Sequence, residues 1–313
     1  MSYTKKLLAG TALGALLAVG ISGGASAAPS YGYANLNFTN FALSGLVDAQ
    51  GNTLPGVTGL VASVLATDAS NYPGAANGGG SAGGNLVTGV DVPQAFSGPG
   101  AAPGQNLFTP QLTSSSGTRG DGNITGAIAS GATSKLVSEG NLTFGPATAG
   151  SSSGSSTTLD ATFGASSSLT IGLTFFASAF LSAHVGQGGD NATASVSATF
   201  SILDLTSGKY VSICDTVNGT GCTIAGPSLA LAQEAPGELN VSVGTLNPAS
   251  PASFSSISKS YGFTATLAAG DTYRLVLGDN SQVILSAVPE PVSLVLLGTG
   301  LIGLGLVRRR RQG

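Results

Sequence analysis

Apolar and polar side chains alternate with a period of two along much of the chain, the spacing of strands that bury one face. The first such stretch, YGYANLNFTNFALSGLVDAQG from Tyr31, sets Tyr31, Tyr33, Leu36, Phe38 and Phe41 among Asn and Thr and predicts one or two opening strands. Residues 60–66 fit a strand or one to two helical turns, because seven residues do not separate the two periods. Weak β character returns at 123–129 and 140–144. It becomes steady at 169–185, 192–213, 238–246 and 258–288, which are rich in β-branched and aromatic residues. Compact turn signals lie between these segments: GQGGDN (186–191), TSGK (206–209), NGTG (218–221), AAGD (268–271) and GDNS (278–281). Strands at this spacing predict a mainly β chain, with an antiparallel β-sandwich or jelly-roll-like body and long Gly/Asn/Pro-rich loops.

Two stretches break the alternation. Residues 71–105 turn to Gly, Asn, Ala and Pro with few large apolar side chains, too little surface to offset the entropy of ordering, so a long mobile loop is expected there. SSSGSSTT at 151–158 has the composition of a flexible joint or exposed loop, and its hydroxyls, like those of Ser114 to Ser116, are candidate O-glycosylation points. The expected organisation is therefore an N-terminal β-rich region at 28–150, a joint at 151–158 and a β-sandwich region at 159–287.

The two ends are different in kind. Met1 to Ala27 has Lys5 and Lys6, an apolar run from Leu7 to Ile21 and a small-residue exit, Ala25-Ser26-Ala27, the three zones of a signal peptide for Sec export. Signal peptidase is expected to cut after Ala27, leaving Ala28 as the first residue of the body. At 288–313, Val288-Pro289-Glu290-Pro291 precedes sixteen uncharged residues, Val292 to Val307, and then Arg308, Arg309, Arg310 and Arg311. Pro289 and Pro291 keep the triplet extended and outside any helix. As a helix the apolar segment spans about 24 Å, slightly short of a bilayer core, and snorkelling arginines make up the difference. The arginines orient it with the body on the far side of the membrane.

This order of parts resembles the PEP-CTERM sorting signal of Gram-negative bacteria. The resemblance implies recognition by exosortase, a multi-spanning membrane protease or transpeptidase. It also implies a transient inner-membrane anchor, cleavage near Pro289-Glu290-Pro291, and passage of the body to the cell surface or an exopolysaccharide matrix such as a biofilm. An ordinary membrane anchor would explain the helix and arginines but not the PEP triplet.

With both ends removed, five basic residues face thirteen acidic ones, so the body carries a charge of about −8. That balance argues against nucleic acid as a partner, since phosphate neutralisation needs clustered Lys and Arg. Cys214 and Cys222 in an exported chain point to a disulfide, with two free buried thiols as the alternative. A C-x7-C pair with one distant histidine is a poor zinc site, and no metal or other cofactor is expected.

Candidate chemistry is sparse. His184 is the sole histidine, no G-x-S-x-G occurs, and a strand-end structural histidine is the expected role. DGNITG (121–126) opens like a calcium loop, but Ala132 stands where an acid should close it, so a plain turn is expected. Asp121, Asp190, Asp271 and Asp279 adjoin Gly and read as solvated turn residues. The expectation is a non-enzymatic secreted surface or matrix protein. One alternative is a carbohydrate-binding module using Tyr31, Tyr33, Tyr72, Tyr210, Tyr261 or Tyr273, and the other is a hydrolase with two carboxylates.

Overall fold

The computed structural model describes residues 29–142, 150–186, 190–217, 222–224, 229–230 and 239–286. They are mainly β. In chain order the strands are β1 Ser30–Ser44, β2 Val57–Asn71, β3 Gly78–Gly84, β4 Val90–Asp91, β5 Ala95–Ser97, β6 Gly117–Thr125, β7 Ala132–Leu142, β8 Ser151–Ala165 and β9 Leu169–His184. They continue with β10 Asn191–Asp204, β11 Lys209–Tyr210, β12 Ser212–Asp215, β13 Cys222–Ile224, β14 Leu229–Ala230, β15 Asn240–Thr245, β16 Ala252–Ser255, β17 Lys259–Leu267 and β18 Thr272–Ser286.

Two antiparallel sheets pack face to face. The front sheet runs β13-β12-β17-β9-β1-β7-β6-β4, with β16 on β9 and β5 on β6; the back sheet runs β11-β10-β18-β8-β2-β3, with β14 and β15 on β10. Apart from the β6–β7 pair, the long strands alternate between sheets along the chain, so neighbours come from remote segments: β1 lies between β7 and β9, and β8 between β2 and β18. Strands from either side of residue 150 thus share both sheets. The division at 151–158 into two regions finds no counterpart in this pairing.

SSSGSSTT is the first half of β8, not a joint. Ser151, Ser153, Ser155 and Thr157 point inward and are buried, and the strand pairs with β18 and β2 along its length. The Gly-rich 71–105 segment, expected as a long mobile loop, contains β3, β4 and β5; GGGSAGG pairs with 64–70 of β2. DGNITG is a strand rather than a turn up to Thr125, within β6, and GDNS lies in the middle of β18. The TSGK and AAGD turns form where expected, helped by Gly208 and Gly270 at positive φ. NGTG lies outside the described residues, as does the middle of GQGGDN, residues 187–189.

The interior grades from aromatic to polar. At one end Phe175 meets Phe38 edge-on at 5.0 Å and Tyr261 stacked at 5.1 Å, with Phe41 and Phe263 close by. At the other end small residues let the sheets approach: a Cβ on Gly120 would stand 2.4 Å from the carbonyl oxygen of Gly154. Between them lies a layer of buried hydroxyls and carboxyls. Ser138 donates to the Ser281 carbonyl at 2.9 Å, and Ser153 donates to the Glu139 carbonyl at 3.1 Å. Asp279 accepts from the Thr157 N–H at 3.0 Å, the Thr157 hydroxyl and the Ser134 hydroxyl at 3.0 Å. The Gly122 N–H donates to Asp68 at 3.2 Å. Asp279, with its turn-like GDNS sequence, is therefore a core residue. Asp190 is buried too and accepts from the Ser30 hydroxyl at 2.7 Å.

Two expectations follow. Gly120→Ala should lower stability by about 1–3 kcal/mol, read by urea or thermal unfolding, because the clash is with backbone that a rotamer change cannot relieve. Stability should also depend on pH. Burial pushes the Asp279 carboxyl up to about 6 although Thr157 and Ser134 donate to it. Burial likewise pushes Asp68 up to about 7, with the Ser155 hydroxyl opposing and the charge of Asp121 adding to the rise. Raised carboxyls favour folding below their unfolded values, so their contribution declines as pH rises from about 4 to about 7. Asp279→Asn should flatten part of that decline when unfolding is measured across the range.

Candidate functional site

The outer face of the front sheet holds a feature that combines an open cleft with unusual electrostatics. Alternation sends Tyr31, Tyr33, Asn35 and Asn37 of β1 outward, opposite to Gly32, Ala34, Leu36 and Phe38. Register then sets Asn141, Glu139, Val137 and Lys135 of β7 beside them, and Arg119, Asp121 and Asn123 of β6 beyond. A segment without regular structure, residues 104–116, crosses this face as a strap.

The strap is held by an ion pair with no solvent exposure. Arg119 Nε donates to Glu139 Oε2 at 2.8 Å, and both side chains are fully buried. Removing two charges from water is costly, and the pair is tolerable only if its remaining valences are satisfied. They are. Glu139 also accepts from the Tyr31 hydroxyl (2.8 Å) and the N–H groups of Gln111 (2.9 Å) and Leu112 (2.8 Å). The other two guanidinium nitrogens of Arg119 donate to the carbonyls of Leu107 and Thr109, both at 2.7 Å. Tyr33 donates to the Phe108 carbonyl at 2.6 Å and Asn141 to the Leu112 carbonyl at 2.5 Å. Sheet side chains thus replace the secondary structure that the strap lacks. Burial, with the Glu139 charge next, drives the Tyr31 hydroxyl upward; for Tyr33 burial also dominates, with the Arg119 charge opposing. Both phenols stay protonated as donors.

Asn106 anchors the strap's near end at φ 63°, a left-handed conformation that asparagine tolerates better than most residues. Its N–H donates to Asp121 at 2.6 Å, its amide donates to Asp91 at 3.1 Å, and its side-chain oxygen accepts from Asn123 at 2.6 Å. Burial raises the Asp121 carboxyl, against the Asn106 N–H, which favours the charged form. Asp121 is therefore a buried strap anchor rather than a solvated turn residue.

Where the strap leaves the sheet a cleft of about 400 Å³ opens, lined by Asn35, Asn37 and Lys135 from the sheet and by Asn106, Leu107, Phe108 and Thr109 from the strap. Asn35 donates to the Leu136 carbonyl at 3.0 Å. The buried side-chain oxygen of Asn37 has no hydrogen-bond partner. Lys135 Nζ stands 5.7 Å from the centre of the Phe108 ring. On the other side β9 places Phe180 directly beside Asn35, and Ser178 beside Asn37. Phe180 lies with its ring centre 5.7 Å from that of Tyr33, and Phe176 and Phe180 are both 42% exposed.

The residues singled out from sequence are distributed differently. Cys214 and Cys222 form a disulfide and face each other in the β12–β13 pair, so the bridge closes a hairpin far along the sheet from the cleft. His184 ends β9 opposite Tyr31, half-buried. The tyrosines proposed as a sugar platform do not form one: Tyr33, Tyr72, Tyr261 and Tyr273 are buried, and Tyr273 bonds the Ala268 backbone beside a turn. Val288, Pro289, Glu290, Pro291, Arg308, Arg309, Arg310, Arg311, Ala25, Ala27 and Ala28 lie outside the described residues. No helix among the described residues is long and apolar enough to cross a membrane. No group of three or more His, Cys, Asp or Glu there is arranged to hold a metal.

Sequence reasoning passed over Arg119, Glu139, Asn35, Asn37, Lys135, Phe176 and Phe180. A signal existed for some of them: Phe176 and Phe180 occupy the polar parity of β9, with Thr174, Ser178 and Ser182, where a large aromatic is out of place. Glu139→Ala, which leaves the Arg119 charge buried without its partner, should cost about 3–5 kcal/mol. It should also expose the strap to proteolysis within 104–116, which mass mapping of limited digests would locate.

Comparison with curated proteins and with solved structures gave no match. The protein-family model of the PEP-CTERM protein-sorting motif matches residues 287–311, immediately after β18. That match covers the tail and does not extend into the sandwich. It bears out the resemblance read from Pro289-Glu290-Pro291, the apolar segment and the arginines: the chain carries a PEP-CTERM sorting motif, which implies a secreted protein with a membrane-anchoring sorting signal and exosortase as its processing partner.

Proposed function

We propose that this is a non-enzymatic component of an extracellular matrix, released from its membrane anchor by exosortase and retained outside a Gram-negative cell through exopolysaccharide. The observation that carries the reading is the sorting motif at 287–311, because exosortase sorting delivers the body to the outside. In this reading Sec export and signal peptidase remove residues up to Ala27. Val292 to Val307 then hold the chain in the inner membrane with Arg308 to Arg311 inside, and cleavage falls near Pro289-Glu290-Pro291.

The body's chemistry supports a structural role. The best-engaged carboxylates, Glu139 and Asp279, are buried and committed to holding backbone and hydroxyl groups in place. The open cleft is lined by amides, a lysine and an aromatic ring. A hydrolase with paired carboxylates would need two acids facing one accessible space, and the lining of this cleft supplies no acid.

Expression of the full chain in hosts with and without exosortase tests the sorting, by intact mass and location. The expected outcome is tail loss and extracellular product only where the enzyme is present, with Pro289→Ala/Pro291→Ala retaining the tail in both. An intact tail in the inner membrane of both hosts would overturn the reading. Incubation of the secreted product with the host's exopolysaccharide should leave the polymer's chain length unchanged; shortening would mean an enzyme.

A further inference from the structure

We infer that the outer face of the front sheet, from the Phe108 wall of the cleft across Asn35 and Asn37 to Phe180 and Phe176, is a binding site for a segment of polysaccharide chain. The inference rests on the matrix reading above and names the place on the body where the polymer would be held.

Three observations converge on a sugar rather than a protein or a lipid. The first is the pairing of aromatic with amide. Register puts Phe180 directly beside Asn35 and Ser178 directly beside Asn37, so an exposed apolar ring and neutral hydrogen-bonding groups lie side by side on one sheet face. A sugar ring presents the same alternation, with C–H groups on its face and hydroxyls around its edge. The C–H face packs on an aromatic ring while the edge exchanges hydrogen bonds with amides. Phe176 and Phe180 sit four residues apart on one strand, about 13 Å. That is room for two contacts along an extended chain rather than one pocket for a single sugar.

The second is an unmet acceptor. The side-chain oxygen of Asn37 is buried and has no partner, and the residue belongs to the lining of an open cleft. Such a group carries a desolvation cost that an incoming donor relieves, and a polysaccharide brings many hydroxyl donors.

The third is charge. The body carries about −8, yet the cleft lining contains no carboxylate and one cation, Lys135, whose ammonium faces the Phe108 ring. A neutral chain meets no repulsion here, and a uronate-bearing chain finds its single counter-charge at Lys135. The site is also rigid before binding, because Arg119, Glu139, Tyr33 and Asn106 fix the strap that forms its wall. Pre-ordering of the wall lowers the entropy cost of binding.

The test uses the secreted product and two probes, a neutral cello-oligosaccharide and an oligouronate of equal length, with binding followed by titration calorimetry. Saturable binding of at least one probe is expected. Phe180→Ser should weaken it about tenfold or more, as loss of a central aromatic anchor does, and Phe176→Ser should weaken it less. Asn37→Ala should weaken binding of both probes, whereas Lys135→Met should weaken the oligouronate alone. Ser195→Ala, on the outer face of the back sheet, serves as the control and should leave binding unchanged. If Phe180→Ser loses its cooperative unfolding transition, the exposed Phe176 and Asn37 decide the matter. Parent-like binding by all front-face variants would overturn the site, and so would a parent that binds neither probe. Either failure would leave the exosortase experiment untouched, since that one reads mass and location alone.

Discussion

The outer surface of this protein depends on one buried ion pair. Arg119 and Glu139 stand side by side on β6 and β7 with no access to water, and between them they engage four backbone groups of a strap that has no ladder of its own. The pair is affordable because nearly every valence is used. A carboxylate with four donors and a guanidinium with three acceptors recover in hydrogen bonds what they lose in hydration. The strap in turn buries Tyr33 and supplies Phe108, Thr109 and Asn106 to the cleft. In a body with five basic residues, placing one at zero exposure is a strong commitment of charge to architecture.

The same economy runs through the interior. Glycine, serine and alanine at inward positions bring the sheets close at one end, and the aromatic cluster around Phe175 spaces them at the other. A polar layer between sheets would ordinarily be a liability, but here the hydroxyls of Ser134, Ser138 and Ser153 find carbonyls or the Asp279 carboxylate across the gap, and the Thr157 hydroxyl reaches Asp279 from the neighbouring strand of the same sheet. The penalty that remains is electrostatic. Carboxyls held at 3% and 4% exposure prefer their protons, which ties the stability of the fold to pH in a direction opposite to that of ordinary paired surface acids.

In the proposed reading, sorting and binding divide the chain between them. The tail is read by membrane machinery through features that need no folded partner: a proline-framed triplet, an apolar run and a basic cluster. In that reading the sandwich functions after the tail is removed, and its front face is built on paired strands with the disulfide remote from the cleft.

What the sequence determined by itself was local. The alternation in β1, β9, β10 and β18 set which residues face inward, the Cys214 and Cys222 spacing suited a hairpin bridge, and the tail declared its sorting class. What only the tertiary structure decided was non-local. SSSGSSTT has the composition of a linker, and it becomes a central strand because β2 and β18 pair with it on both sides while the facing sheet covers its inward hydroxyls. Asp279 sits in a turn-like GDNS, yet Thr157, 122 residues away, donates to it and keeps that segment extended. Arg119 and Glu139 are 20 residues apart, and the Asn35 and Phe180 that meet across β1 and β9 are separated by most of the fold. Sequence patterns carry period and composition, which fix faces and turns. They do not carry register between distant strands, and in this sandwich register is what assembles the site.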